Sequence, residues 1–311
     1  MHRRPLVFSL CATLTRGLVV PARLSGRVTR FEPSDFPSSW PYTTDDMSRM
    51  DESADMLFYT TPRFVTHIDD GAIKAVTQFY DEVLPKEADV CDLCSSWISH
   101  LPDRPFGRVS GVGMNARELE ANTRLTEFVQ ADLNVQPKLP FDDASFDACL
   151  NVVSVDYLTQ PQAIFQEMHR VLRPDGQAIM SFSNRCGQLP SSAHSLHIPY
   201  PFHTLPPSPR YTHLARSLPR LWQWPGCRCF PTKAVKMWLD ADDEQRQRIV
   251  ATYFHCSVPG GWDDVTAIDI STGPPVPKPG ESSMIDMMRS LVQGLVPSDP
   301  MFVVRATKKA S

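Results

Sequence analysis

Between residues 89 and 186 short apolar runs alternate with amphipathic segments, and that alternation leaves few folds open. "ADVCDLCS" and "GRVSGVGM" read as short buried strands separated by a loop around Pro102 to Pro105. "ARELEAN" reads as a helix, and "LTEFVQADL" supplies a third strand near Phe128 to Gln130. "FDACLNVVSV" is a fourth, with the near-continuous apolar run of a strand covered on both faces. "PQAIFQEMHRVLRPDG" predicts a helix opened by Pro161 and closed by a turn at Pro174 to Gly176, and "QAIMSFSN" a fifth strand. Strands and helices in this order predict an α/β fold, a Rossmann-like doubly wound sheet in a single domain.

The flanks are less regular. From Phe31 to Asp51 the chain is rich in Pro, Ser and Asp and reads as a linker. A helix is expected from an N-cap at Asp69 or Asp70 through Ile73, Val76, Phe79, Tyr80 and Val83, ending at Pro85. Residues 187–229 are dense in Pro, Ser and His with no sustained period, and read as an irregular insertion. Deleting them joins "SFSNRC" to "FPTKAVKMWL" as continuous strand, loop and helix, so the segment is either a retained intron or a lineage-specific loop. Two helices, "TKAVKMWLD" and "DEQRQRIVATYFH", then precede the strands "VTAIDIS" and "MFVVRAT".

With 42% hydrophobic and 21% charged residues, the 311-residue chain has the composition of a soluble globular protein. A net charge of -4 argues against sequence-independent nucleic-acid binding, and no segment is expected to span a membrane. The first thirty residues hold Arg3, Arg4, Arg16, Arg23, Arg27 and Arg30 among Ser, Thr and small apolar residues, with no acid before Glu32. That is a transit-peptide composition, pointing to plastid or mitochondrion; a basic tail without an address leaves the chain cytoplasmic. The 8 cysteines are scattered; Cys91 and Cys94 span a strand end and Cys227 and Cys229 fall in the insertion, so no metal site is expected from either pair.

The stretch "VQADLNVQPKLPFDDASFDACLNVVSVDYLTQPQAIFQEMHRVLRPDGQAIMSFSN" resembles the middle of type 11 class I methyltransferases, where "D…LPF.D.SFD" leads into one strand and "E..RVL.P.G" into the next. With "FVTHIDDGAI", "VCDLCSSWISHLP" and "SDPMFVVRA" it is similar to uncharacterised methyltransferase-like proteins of plants and algae. The resemblance implies a seven-stranded sheet with an antiparallel last strand and S-adenosylmethionine as cofactor. Together with the compositional readings above, this divides the chain into a leader (1–30), a linker and helical lid (31–88), a cofactor-binding half (89–186), the insertion (187–229) and the end of the fold (230–311).

The same resemblance implies a cofactor loop at "DLCSSW", where Asp92 matches while Cys94 and Ser96 stand at positions usually held by glycine. The acid that receives both ribose hydroxyls is replaced by Gly113, leaving Asn115 as the nearest polar side chain, while Asp132 matches the acceptor of the adenine amino group. Asn151 is assigned to the cofactor too. Near the methyl acceptor the resemblance implies Asn151, Ser154, Asp156 and Tyr157, with Asp156 or His67 as the base if the acceptor must lose a proton. Two functions follow: methyl transfer to a small-molecule or protein acceptor, or a non-catalytic binding or assembly module with a degenerate cofactor loop. A nicotinamide dehydrogenase is disfavoured, since no G-x-G-x-x-G follows the first strand.

Overall fold

Runs that alternate apolar residues toward two opposite faces pair into one sheet of eight strands in the computed structural model, which describes residues 21, 24, 27–184, 230–272 and 298–310. The strands are β1 (Val28–Arg30), β2 (Val90–Leu93), β3 (Val109–Gly113), β4 (Glu127–Gln130), β5 (Phe146–Val152), β6 (Leu172–Phe182), β7 (Trp262–Asp269) and β8 (Phe302–Lys308). Their order across the sheet is β1-β7-β8-β6-β5-β2-β3-β4. Strands β4, β3, β2, β5 and β6 run parallel, β8 is antiparallel to both β6 and β7, and β1 is antiparallel to β7. This is the expected seven-stranded arrangement with one further edge strand.

The helices are α1 (Asp55–Phe58), α2 (Asp70–Val83), α3 (Ala116–Ala121), α4 (Pro161–Val171), α5 (Lys236–Asp240) and α6 (Asp243–Ser257). Period-two alternation splits the core between the sheet's faces. On β8, Phe302, Val304 and Ala306 join α4 and α6 in one cluster, while Val303 joins α2 in the other. Helix α2 turns Ala72, Ala75, Val76, Phe79, Tyr80 and Val83 inward at helical spacing. Its N-cap is Asp69, whose side chain accepts from the Ala72 amide at 2.8 Å and from Ser298 and Asp299 beyond β7.

The structure departs from the sequence expectations in three places. The segment after Phe31 is packed rather than a free linker: Phe36 stacks on His255 and Trp40 on Tyr253 of α6, at 5.0 and 5.6 Å. Isolated aromatic anchors hold an irregular chain without leaving any period in its sequence. Val28–Arg30 forms β1, so the last residues of the expected leader belong to the sheet; residues 1–20 lie outside the described part, as does the 187–229 insertion. Finally, "RPDG" continues β6 as an irregularity, with Asp175 at φ 62° and a register shift opposite Phe146 and Ala148. No described helix is long and apolar enough to cross a membrane.

Candidate functional site

The chain leaves β2 toward one edge, through β3 and β4, and returns to the other side of β2 as β5 and β6. The carboxyl ends of β2 and β5 therefore diverge, and crevices at such switch points are where open α/β sheets bind ligands. A cavity of about 1290 Å³, mouth included, lies there. Its walls are the loop after β2, the end of β3 with α3, the turn after β4, the residues after β5, and a cover built from residues 55–67 with Phe230 and Lys233.

Asp92, Cys94 and Ser96 all line this cavity. The Asp92 carboxyl accepts from the hydroxyls of Ser95 and Ser99 at 2.6 and 2.7 Å, which folds the loop back over the strand end. Burial pushes its pKa up to about 6 against the pull of those two hydrogen bonds. Cys94 has φ 56°, the left-handed region glycine occupies freely, so the backbone keeps the glycine conformation although the side chain is not glycine.

At the end of β3, a Cβ built on Gly113 would collide with the Ser95 carbonyl oxygen, so the loop backbone fills the space a side chain would take. Asn115 borders the cavity, but its polar atoms are occupied: the oxygen caps α3 by accepting from the Arg117 and Glu118 amides, and the nitrogen donates to the Tyr59 and Thr60 carbonyls. Glu118, which the sequence reading passed over, is 8% exposed and lines the cavity. Asp132 also lines it; one of its oxygens accepts from the Asn134 amide at 2.9 Å, and burial raises its pKa above the ordinary value.

The candidates in and after β5 divide. Ser154, Tyr157 and, from the cover, His67 reach the cavity. Asn151 and Asp156 are not among its lining residues. Asn151 lies beneath the loop, where its nitrogen donates to the Leu93 carbonyl at 3.2 Å and joins β5 to β2, while its Oδ1 is buried without a partner. Asp156 sits in a 3-10 turn, Val155–Tyr157, which sends alternate side chains apart, and it is 2% exposed with one oxygen unpartnered. Burial pushes its pKa up to about 7, with the nearby Arg246 charge pulling the other way. His100, also unanticipated, lines the cavity with Nδ1 unpartnered, and burial beside His67 lowers its pKa to about 4.

These raised carboxyl values carry a stability prediction. A group whose folded pKa exceeds its unfolded value favours folding most below the unfolded value, near 3.8, and loses that contribution as pH rises through the folded pKa. Stability should therefore fall between about pH 4 and 7 on account of Asp156. Asp156→Asn, which mimics the neutral acid, should match wild type near pH 4 and exceed it at pH 8 by on the order of 4 kcal/mol, since each pKa unit is worth about 1.4 kcal/mol. Denaturant unfolding at both pH values reads this; equal stabilities at pH 8 would contradict it.

Over the cavity, the Arg63 guanidinium lies 4.4 Å from the Phe58 ring centre and 4.9 Å from that of Phe230, with Nη1 buried and unpartnered. Phe230 also meets His67 edge-on at 5.4 Å, and its amide donates to the Tyr157 hydroxyl at 3.0 Å. Beneath, Asp55 at the start of α1 receives both its ion-pair partners: Arg49 Nη1 reaches its two oxygens at 2.8 and 2.7 Å and Lys233 Nζ lies 3.1 Å away. Asn134 completes the set at 3.0 Å. Burial acts to raise the Asp55 pKa, but the hydrogen bonds from Asn134, Arg49 and Lys233 outweigh it and hold it below the ordinary value. Among the described residues no group of three or more His, Cys, Asp or Glu is placed to hold a metal.

Residues 94–180, which span the β2 loop, α3, Asp132, β5 and most of β6, match a family model described as a methyltransferase domain. This segment, which supplies much of the cavity wall, is thus similar to methyltransferase domains. The chain is 37% identical over 78 residues to an uncharacterized methyltransferase of Mycolicibacterium vanbaalenii, a match covering 24% of this chain and 29% of that one. A counterpart in Mycolicibacterium gilvum is 36% identical over 70 residues, 22% of this chain and 26% of the relative. The chain thus spans under a third of the length of the curated relatives it matches. Among solved structures, a SAM-dependent methyltransferase from Thermotoga maritima is similar at TM-score 0.42 and 15% identity, over 77% of this chain and 88% of the other.

Proposed function

We propose that this chain binds S-adenosylmethionine in the cavity over β2, β3 and β5 and transfers its methyl group to a small-molecule or protein acceptor. The observation that carries the reading is that the methyltransferase-domain match falls on the very segments whose strand ends and loops wall the cavity. The residues present fit the cofactor in part. The Cys94 backbone holds the conformation of a glycine loop, Asp132 presents a carboxyl to the adenine end, and the unpartnered Nη1 of Arg63 suits a carboxylate.

When bound, S-adenosylmethionine supplies an electrophilic methyl group on a sulfonium. The chain's task is to align an acceptor with it and to keep water out, since positioning supplies most of the rate in such a displacement. Tyr59 and Phe230 cover the cavity with Phe58 packed against both, and His67 and Tyr157 are the groups near enough to orient an acceptor or take its proton. Asp156, buried behind the wall, serves the turn that presents Tyr157 rather than the acceptor itself.

Asp132→Ala should weaken S-adenosylhomocysteine binding about tenfold or more in isothermal titration, with NADH giving no heat for either protein. Equal affinities would remove Asp132 from the site. The rival reading, a non-catalytic module, draws on the Cβ at the left-handed Cys94 and on the space closed at Gly113. A folded chain that binds neither sulfur ligand would favour it.

A further inference from the structure

Gly113 leaves the cavity without an acid at the end of β3, and the Ser95 carbonyl bars any side chain from that position. A nucleoside diol still needs an acceptor, and a carboxylate with two oxygens is the group that takes both hydroxyls at once. We infer that Glu118 supplies it: the structure assigns to this residue of α3 the ribose diol of the adenosyl ligand, an inference that rests on the cofactor reading above.

Glu118 lines the cavity and comes from the first turn of α3, five residues past Gly113, so it overlooks the same corner from one helical turn away. Its carboxyl group is held between two of the cavity's walls. Oε1 accepts from the Arg63 amide in the cover at 2.7 Å, and Oε2 from the Ser96 hydroxyl in the β2 loop at 2.6 Å. Each oxygen thus accepts one hydrogen bond from the described residues, whereas a carboxylate has about four acceptor positions in all. One position on each oxygen remains for a hydroxyl pair. The serine at 96 gains a purpose here, because a glycine would leave Oε2 unanchored.

The alternative is that Glu118 only ties cover to loop. A tether gives no preference between ribose and deoxyribose, whereas a diol acceptor must. Titration of the full chain with S-adenosylhomocysteine, adenosine, 2′-deoxyadenosine and 3′-deoxyadenosine separates the two. Wild type should bind adenosine roughly tenfold more tightly than either deoxynucleoside. Glu118→Gln should lose about tenfold in S-adenosylhomocysteine affinity and most of that discrimination, while Asp132→Ala weakens all three nucleosides alike. Wild type that binds S-adenosylhomocysteine yet does not discriminate, or Glu118→Gln that discriminates as wild type does, overturns the assignment and leaves the cofactor reading standing. Failure of the folded wild type to bind S-adenosylhomocysteine overturns both. A thermal melt of each variant confirms that it is folded.

Discussion

Asp55→Ala should cost about 3–5 kcal/mol of folding stability at neutral pH, the range for removing one partner from a buried ion pair. Asp55 is 7% exposed and receives bonds from Arg49, Lys233 and Asn134, while Lys233 is itself 1% exposed. Its removal leaves two cations facing each other out of water, with Asp51, 3.3 Å from Lys233, as partial relief. Adding Lys233→Met to Asp55→Ala should recover part of the loss by removing the uncompensated charge. Denaturant unfolding reads both. A single-variant loss under about 1 kcal/mol, the size of an exposed pair, would show that the cluster is solvated. The cost also bears on the cover: α1 starts at Asp55, and Asn134 bridges it to the Tyr157 carbonyl at 2.8 Å, so the cavity roof should loosen with the cluster.

Gly113→Asp should damage the protein, although it installs a carboxyl at the end of β3. Its Cβ has no room beside the Ser95 carbonyl, and Leu119 crowds the same place. The loop cannot retreat freely, because the Ser95 amide donates to the Val112 carbonyl at 2.8 Å and the Ser95 hydroxyl to Asp92. Overpacking of this kind costs about 1–3 kcal/mol or more. Gly113→Ala, which adds only the Cβ, should show most of the loss in a thermal melt. A Gly113→Asp protein as stable as wild type, with improved adenosine binding, would mean that the wall yields and that the missing acid is a simple vacancy.

Much of the architecture was legible in the sequence because buried parallel strands write themselves as apolar runs: "FDACLNVVSV" is β5, and the Pro161 start of α4 is where the proline put it. The packed segment after Phe31 was not, since Phe36 and Trp40 dock singly and leave no period. Asp92, Cys94, Ser96, Asp132, Tyr157 and His67, named on the resemblance, all line one cavity. Asn151 and Asp156 do not: Asn151 is a residue of β5 itself, paired opposite Leu93, and Asp156 lies in the 3-10 turn after the strand, where a strand's alternation no longer predicts which side a side chain takes. Glu118 and Lys233 were hidden for another reason. An acid on a short helix and a lysine after a long insertion look like surface residues until tertiary structure closes over them.

A crystal structure of the chain grown with saturating S-adenosylhomocysteine tests the cofactor assignment most directly. The expected result is the ligand over the ends of β2, β3 and β5, its adenine beside Asp132 and its ribose facing Glu118. A well-ordered chain with that cavity empty at saturation, or with the ligand bound elsewhere, would contradict it.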